Sequence, residues 1–174
     1  MRILGIDPGS TCTGYGVVEG SGQKPSMITS GVIRSGRGAL SQRLARLFDS
    51  LEKLIDANQP EEIAVEEVFT GVNAHSALVL GHARGVILLA AGRANLPVHE
   101  YPSRRIKKAI TGYGAAEKVQ VQSVLRGIFG ELPRELDASD ALAVALCHWY
   151  DSTAQARVVL QKGRDDSAAR RNCI

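Results

Sequence analysis

The sequence predicts an α/β fold in which a mixed five-stranded sheet carries helices on its faces. Three apolar segments near the N-terminus, residues 2–7, 15–20 and 26–36, are joined by short turns rich in Gly, Ser and Pro, which is typical of an antiparallel meander. Two further strands are predicted at 61–69 and 97–101. Each follows a helical segment, which favours parallel addition to the sheet. The predicted order of elements is therefore βββαβαβααα.

Two long helices are predicted between these strands. Residues 39–60 repeat apolar side chains at spacings of three and four, and Asn58 and Pro60 end the pattern, as in an amphipathic helix. The repeating positions are Leu40, Leu44, Leu47, Leu51, Leu54 and Ile55. Residues 73–95 form a second helix with much Ala and Gly on its surface, which allows close packing against a neighbour.

Three more helices are predicted in the C-terminal half. Two basic helices cover residues 102–112 and 115–130, and an apolar helix opened by acids covers 137–152. No internal repeat or linker interrupts residues 1–152, so we expect them to form one domain. Residues 153–174 have no apolar periodicity and carry five basic side chains, so we expect a basic, mobile tail.

Composition indicates an ordinary globular domain. The chain has 174 residues, of which 44% are apolar and 22% charged, enough to bury a core. We expect a soluble cytoplasmic protein, because no apolar run approaches the ~20 residues of a membrane span and the N-terminus resembles a strand rather than a secretory signal. The odd number of cysteines, without a CxxC spacing, predicts separate reduced thiols at Cys12, Cys147 and Cys173.

Several other polar residues are expected to lie outside any functional site. The four histidines are scattered, and no two have the spacing of metal ligands, so each is expected on the surface or in the core. They are His75, His82, His99 and His148. Glu61 and Glu62, which open the fourth predicted strand, are expected to be solvated.

Charge is unevenly distributed although the net charge is only +3. Residues 101–130 contain six basic side chains and a single acid, Glu117. The basic residues are Arg104, Arg105, Lys107, Lys108, Lys118 and Arg126. Such a segment on a nearly neutral protein indicates a local surface for a polyanion. The alternative is a solvated face of basic helices, and charge alone does not decide between them.

Four carboxylates are placed where chemistry is expected. Asp7 ends the first strand, Glu66 lies near the end of the fourth, and Asp137 and Asp140 share one face of the last helix. If these elements are neighbours, the acids converge, and their repulsion is relieved by a divalent cation such as Mg²⁺. Two such ions about 4 Å apart can activate a water and stabilise the leaving oxygen in phosphodiester hydrolysis.

Each acid also has an ordinary structural interpretation. Asp7 precedes a Pro-Gly turn and can be a turn residue. Asp137 can be the N-cap of its helix, and Asp140 an acid favoured by the helix dipole. Periodicity does not choose between Glu66 and Glu67, because neighbouring strand residues point to opposite faces.

Five motifs in chain order resemble the RuvC family of Holliday junction resolvases over about residues 1–150. They are GIDPGSTCTGYGVV, AVEEVF, HSALVLGHARGV, PSRRIKKAITGYGAAEKVQVQ and LDASDALAVALCH. The resemblance implies a ribonuclease H-like fold, a homodimer, and symmetric Mg²⁺-dependent nicking of four-way DNA junctions in recombination and repair. It also implies 5′-phosphate and 3′-hydroxyl ends, about two Mg²⁺ per subunit with Mn²⁺ as a substitute, and cooperation with the RuvA and RuvB branch-migration proteins.

The resemblance also implies roles for individual residues. It implies four catalytic and metal-binding acids, which are Asp7, Glu66, Asp137 and Asp140. It thereby selects Glu66 over Glu67. It assigns Lys107 and Lys118 to junction binding or cleavage, with Arg104, Arg105 and Lys108 as further DNA-binding residues. Phe69 matches an aromatic residue that contacts bases near the crossover, with core packing as the alternative. The helix at 73–95 is expected to form the dimer, with an intrachain core helix as the alternative.

The sequence leaves three alternatives to a resolvase. GIDPGST also resembles the first phosphate loop of actin-like ATPases and sugar kinases, but 174 residues leave no room for their second domain. A non-catalytic junction-binding scaffold would use the basic segment alone and would not need converging acids. A related nuclease of the same fold could act on RNA or on other branched DNA.

Overall fold

The described residues form a five-stranded sheet with helices on both faces. The computed structural model describes residues 1–21, 24–67 and 74–171, with side chains through residue 154. The strands are β1 (Arg2–Asp7), β2 (Cys12–Ser21), β3 (Lys24–Arg34), β4 (Glu62–Glu66) and β5 (Val98–Tyr101). The helices are α1 (Leu40–Asn58), α2 (Ala74–Arg93), α3 (Ser103–Thr111), α4 (Lys118–Phe129) and α5 (Leu136–Arg171). The predicted order of elements is confirmed.

The sheet is mixed, with the strand order β3-β2-β1-β4-β5. The first three strands pair antiparallel, whereas β4 pairs parallel to β1 and β5 parallel to β4, as predicted. In the parallel pair Ile6 lies opposite Val65, so the next residues, Asp7 and Glu66, leave the same edge of the sheet side by side. β4 ends at Glu66, earlier than the predicted residue 69.

Alternation along β1 sends its side chains into two separate cores. Ile3 packs into a cluster with α3, α4 and α5, where Leu146 is fully buried. Leu4 and Ile6 point to the other face and pack against α1 and α2, together with Leu51. The central strand is therefore covered on both faces, which holds its carboxyl end in one position.

Helix α5 lies unusually close to the sheet, because glycines of β1 and β2 face it. A Cβ atom added to Gly5 would lie 2.2 Å from the carbonyl oxygen of Ala141. A Cβ atom added to Gly14 would lie 1.9 Å from the carbonyl oxygen of Asp137. The absence of both side chains lets the first turns of α5 approach the end of β1, where Asp7 is located.

The last helix is longer than predicted. We expected it to end at residue 152, but α5 extends to Arg171. Loss of apolar periodicity does not by itself end a helix. Residues 153–171 contain many good helix formers, no proline and a single glycine, Gly163. The domain boundary at residue 152 and the mobility of the tail stay predictions.

Helix α2 has the length and composition of a membrane span, contrary to the expectation that no such run exists. Within the described residues it is the one helix that meets this criterion, with a mean hydropathy of 1.4 over its best window. Core helices of soluble proteins meet it too. Ala83 and Ile87 of α2 are buried against the sheet. Arg84 forms a bidentate ion pair with Glu100 of β5, in which its Nε and Nη2 atoms each lie 2.6 Å from a carboxylate oxygen.

Candidate active site

Four acids converge at the carboxyl ends of β1 and β4. Asp7 and Glu66 end these two adjacent parallel strands. Asp137 and Asp140 lie in the first turns of α5, which the glycines of the sheet allow to come close. One carboxylate oxygen each from Asp7, Asp137 and Asp140 lies within 4.8 Å of the other two. The structure thus brings together residues from three separate elements.

Glu66 joins this group, whereas its neighbour Glu67 does not. A cavity of about 180 Å³ is lined by Asp7, Glu66 and Asp140, together with residues of α3 and α4. Among the neighbouring carboxylates, Glu66 raises the pKa of Asp7 most. Glu67 is exposed and lies instead near Arg84 of α2. The geometry therefore separates two glutamates that periodicity could not separate.

The crowding of these acids changes their titration. The pKa of Asp7 is raised to about 7, first by burial and then by the charges of Glu66, Asp140 and Asp137. The pKa of Glu66 is also raised, mainly by burial. An all-oxygen donor set that repels itself in this way fits Mg²⁺, which takes carboxylate ligands and relieves the repulsion.

We expect Asp7→Asn to stabilise the metal-free protein above pH 7. The folded state holds the proton of Asp7 up to about pH 7, while the unfolded chain releases it near pH 4, so this group costs stability as pH rises between those values. The free energy of unfolding of the variant should exceed that of the wild type by about 1–3 kcal/mol at pH 8.

The measurement is urea unfolding in EDTA at pH 4 and pH 8. The difference between variant and wild type should be much smaller at pH 4, where Asp7 is protonated in the folded state and only partly ionised in the unfolded chain. Equal stabilities at pH 8 would show that burial and repulsion at Asp7 are smaller than the packing indicates.

Two lysines face the acids. The Nζ atom of Lys118, at the start of α4, donates a hydrogen bond to Oδ2 of Asp140 at 2.6 Å. Lys107 of α3 lines the same cavity. Their charges lower the pKa of Glu66 and partly offset the repulsion among the acids. Both lysines implied by the family resemblance therefore lie beside the carboxylates.

Ser103 and Cys12 also contact the acidic group, although the sequence analysis did not single them out. Ser103, the first residue of α3, forms a side-chain hydrogen bond with Glu66 that lowers the pKa of this glutamate. The Cys12 thiol forms one with Asp137, and its own pKa is raised, mainly by burial. A serine at the start of a helix that follows a strand was the available signal for Ser103.

The other three predicted DNA-binding residues of α3 line a second, larger groove. Arg104 and Lys108, one helical turn apart on α3, line a groove of about 890 Å³ together with Arg105 and Tyr113. Arg105 is held by Asp151 of α5, with an Nη2 to Oδ2 distance of 2.7 Å. The basic segment is thus divided between a face toward the acids and a face along this groove.

Phe69, the predicted base-contacting residue, lies outside the described residues. The structure therefore places nine of the ten predicted site residues. Three of the four acids and both lysines line one cavity, Asp137 lies beside Asp7 and Asp140, and the other three basic residues line the groove on α3.

The chain is similar to known proteins over most of its length. A family model described as "Crossover junction endodeoxyribonuclease RuvC" matches residues 3–148. Proteins of that name from Methylococcus capsulatus and Halorhodospira halophila are 45% and 50% identical to this chain. The alignments span 90% and 88% of it, and 95% and 92% of the relatives.

Among solved structures, "T. thermophilus RuvC in complex with Holliday junction substrate" matches with a TM-score of 0.83 and 35% identity, covering 87% of this chain and 94% of that one. The ribonuclease H-like α/β fold implied by the resemblance is confirmed. This chain therefore belongs to the RuvC family of crossover junction endodeoxyribonucleases.

Proposed function

We propose that this protein resolves four-way DNA junctions by metal-dependent hydrolysis of phosphodiester bonds. The observation that carries the proposal is the grouping of Asp7, Glu66, Asp137 and Asp140 with two lysines in a chain of the RuvC family. A relative with 35% identity is known in complex with a Holliday junction substrate. Acids and basic residues in one place suit a substrate whose scissile phosphate must be both held and attacked.

The four acids would hold about two Mg²⁺, with Mn²⁺ as a substitute because it accepts the same oxygen ligands. These ions, when bound, supply an activated water and charge stabilisation at the leaving oxygen. The Asp7 carboxylate is fixed at the end of the central strand and would therefore hold its ion in a defined position. The hydrogen bond from Ser103 would keep the Glu66 carboxylate in place. Attack of water on phosphorus with departure of the 3′ oxygen leaves a 5′-phosphate and a 3′-hydroxyl.

The lysines and arginines would hold the DNA backbone. Lys107 and Lys118 lie next to the acids and so would contact the phosphates nearest the cleaved bond. Arg104, Arg105 and Lys108 line the adjacent groove, which is suited to the phosphates further along an arm. Phe69 is proposed to stack on a base at the opened crossover, where stacking is worth ~1–3 kcal/mol.

Symmetric cleavage further requires two copies of the site, so we propose a two-fold homodimer formed through α2. The outward face of α2 exposes two large apolar side chains, Leu78 (61% exposed) and Leu89 (56% exposed), while its inner face packs on this chain. Each subunit would cut one strand of a nearly two-fold substrate. We propose that the dimer acts in the cytoplasm with RuvA and RuvB, on the basis of family membership.

The proposal is tested by incubating the protein with an end-labelled synthetic four-way junction, in parallel with a linear duplex that contains the same sequence. In Mg²⁺ we expect paired, symmetric, ligatable nicks in the junction, an intact duplex, and no cleavage in EDTA. Junction that is retarded in a gel but stays uncut in both Mg²⁺ and Mn²⁺ would instead indicate a binding scaffold. Equal cleavage of an RNA substrate would indicate a different nuclease of this fold.

Lys108→Ala should weaken junction binding without abolishing cleavage at saturating protein. Lys108 lines the groove, away from the acids, so the variant loses a phosphate contact and the counterions released by it. The slope of log K against log salt should become shallower by about one per subunit. Lys53→Ala, on α1 at the opposite face of the sheet, is the matched control and should keep the wild-type slope.

A further inference from the structure

A second polar cluster lies at the opposite end of the sheet from the acids. Glu62 is the first residue of β4, His99 is in β5, and His148 is on α5. One potential ligand atom from each lies within 4.8 Å of the other two. The Glu62 Oε2 atom is 2.5 Å from Nε2 of His148 and 3.1 Å from Nε2 of His99. Glu62, predicted to be solvated, is only 28% exposed, and two histidines that are far apart in the sequence, His99 and His148, meet beside it.

This cluster is distant from the candidate active site. Glu62 and Glu66 are the two ends of one strand, four steps of ~3.3 Å apart. His148 and Asp140 are eight residues apart on one helix, at ~1.5 Å a residue. Along the strand and along the helix, this cluster is thus about 12–13 Å from the four acids, which is too far for one ion or one bridged pair of ions to contact both.

We propose that Glu62, His99 and His148 bind a Zn²⁺ ion, which would cross-link β4, β5 and α5. Two imidazole nitrogens and one carboxylate oxygen are a donor set typical of zinc, and its fourth position would be taken by water. Ser152, whose Oγ lies 3.4 Å from Nε2 of His148, is placed to accept or donate a hydrogen bond to that water.

The ion can enter only after two side chains move: the rings of His99 and His148 are stacked, with centroids 4.2 Å apart and planes 25° apart, so the His99 ring must rotate to direct its nitrogen at the ion. Ligand atoms at the corners of a tetrahedron with zinc bonds of 2.0–2.1 Å lie about 3.3 Å apart. The Glu62–His99 distance of 3.1 Å is already near this value, and the Glu62–His148 distance of 2.5 Å must increase by about 0.8 Å. Glu62 and His99 are 28% and 43% exposed, so their side chains have room to move and solvent has access to them.

Tyr101 provides the outer contact that a zinc-bound histidine needs. Its hydroxyl lies 2.6 Å from Nδ1 of His148, the nitrogen that would not bind the metal. With zinc on Nε2 the proton of His148 moves to Nδ1, which then donates to the Tyr101 oxygen and fixes the ring.

The test is a titration of EDTA-treated, dialysed protein with Zn²⁺ in excess Mg²⁺, followed by long-range ¹⁵N–¹H spectra of the imidazoles. One equivalent of Zn²⁺ per chain should shift the Nε2 signals of His99 and His148 together and leave those of His75 and His82 in place. Zinc that leaves His99 and His148 unshifted would overturn the proposal.

A second experiment measures the zinc affinity of matched variants by competition with a chromophoric chelator. His99→Phe should weaken zinc binding by at least about 10-fold, and Tyr101→Phe by about 10–100-fold through loss of the outer contact. His82→Phe, on the exposed side of α2, should bind as the wild type does. Asp7→Asn should also bind zinc normally. A loss in Asp7→Asn with none in His99→Phe would place the zinc at the acids and overturn the proposal without affecting the proposed nuclease function.

Discussion

Asp7→Asn is expected to reduce junction cleavage in Mg²⁺ by at least about 10²-fold while junction affinity stays within about twofold of the wild type. The charges of the other three acids all act on Asp7, so its neutralisation would remove a proposed metal ligand and lower the negative charge that attracts a cation. The lysines and arginines that would hold phosphates are unchanged. Single-turnover cleavage and gel retardation in EDTA measure the two effects separately.

The adjacent pair Glu66 and Glu67 offers a matched control for this prediction. Glu66→Gln should lose cleavage as Asp7→Asn does, because its carboxylate lines the cavity. Glu67→Gln changes an exposed acid one position along the chain and should cleave at the wild-type rate. If Glu67→Gln were the inactive variant, or if Asp7→Asn cleaved normally, the proposed four-acid site would be incorrect.

Gly14→Ala is expected to disable the enzyme from a position that contains no functional group. The new Cβ atom would lie 1.9 Å from the Asp137 carbonyl oxygen, so the first turn of α5 must move away from β2. Asp137 and Asp140 would move with it, and a displacement of about 1 Å in a catalytic group can cost about 10²-fold in rate. We also expect a loss of about 1–3 kcal/mol in the free energy of unfolding from overpacking.

Gly127→Ala on α4 is the matched control, because a Cβ atom there would have no neighbour within 4 Å. It should stabilise the helix by about 0.5–1 kcal/mol and leave cleavage unchanged. Thermal melting by circular dichroism identifies a temperature at which both variants are folded, and cleavage is then compared at that temperature. Wild-type cleavage by folded Gly14→Ala would show that α5 adjusts without displacing its acids.

Local patterns were sufficient to predict the order of elements. The apolar run that ends at Asp7 and the leucine repeat of α1 need no distant contact for their interpretation. Convergence of the acids could be expected as well, since parallel strands end at one edge of a sheet. The choice of Glu66 over Glu67 could not be made from the pattern, because a shift of one residue exchanges the two faces of a strand.

Contacts between distant elements were not predictable in the same way. Glu62 looked like a solvated acid at the start of a strand, but α5 crosses the sheet face and brings His148 to it. The division of the basic residues on α3 between cavity and groove likewise depends on how that helix packs against α5. The length of α5 was missed because a helix can continue on good helix formers without an apolar stripe.

The central position of β1 has a consequence for how the protein opens in solution. Its amides pair with β2 on one side and β4 on the other, so fraying from either edge of the sheet leaves them protected. Their hydrogen exchange should therefore proceed through global unfolding alone, while the edge strands β3 and β5 exchange through smaller fluctuations. Asp7 is the last residue of this strand, so it should keep its position while the edge strands unfold locally and refold.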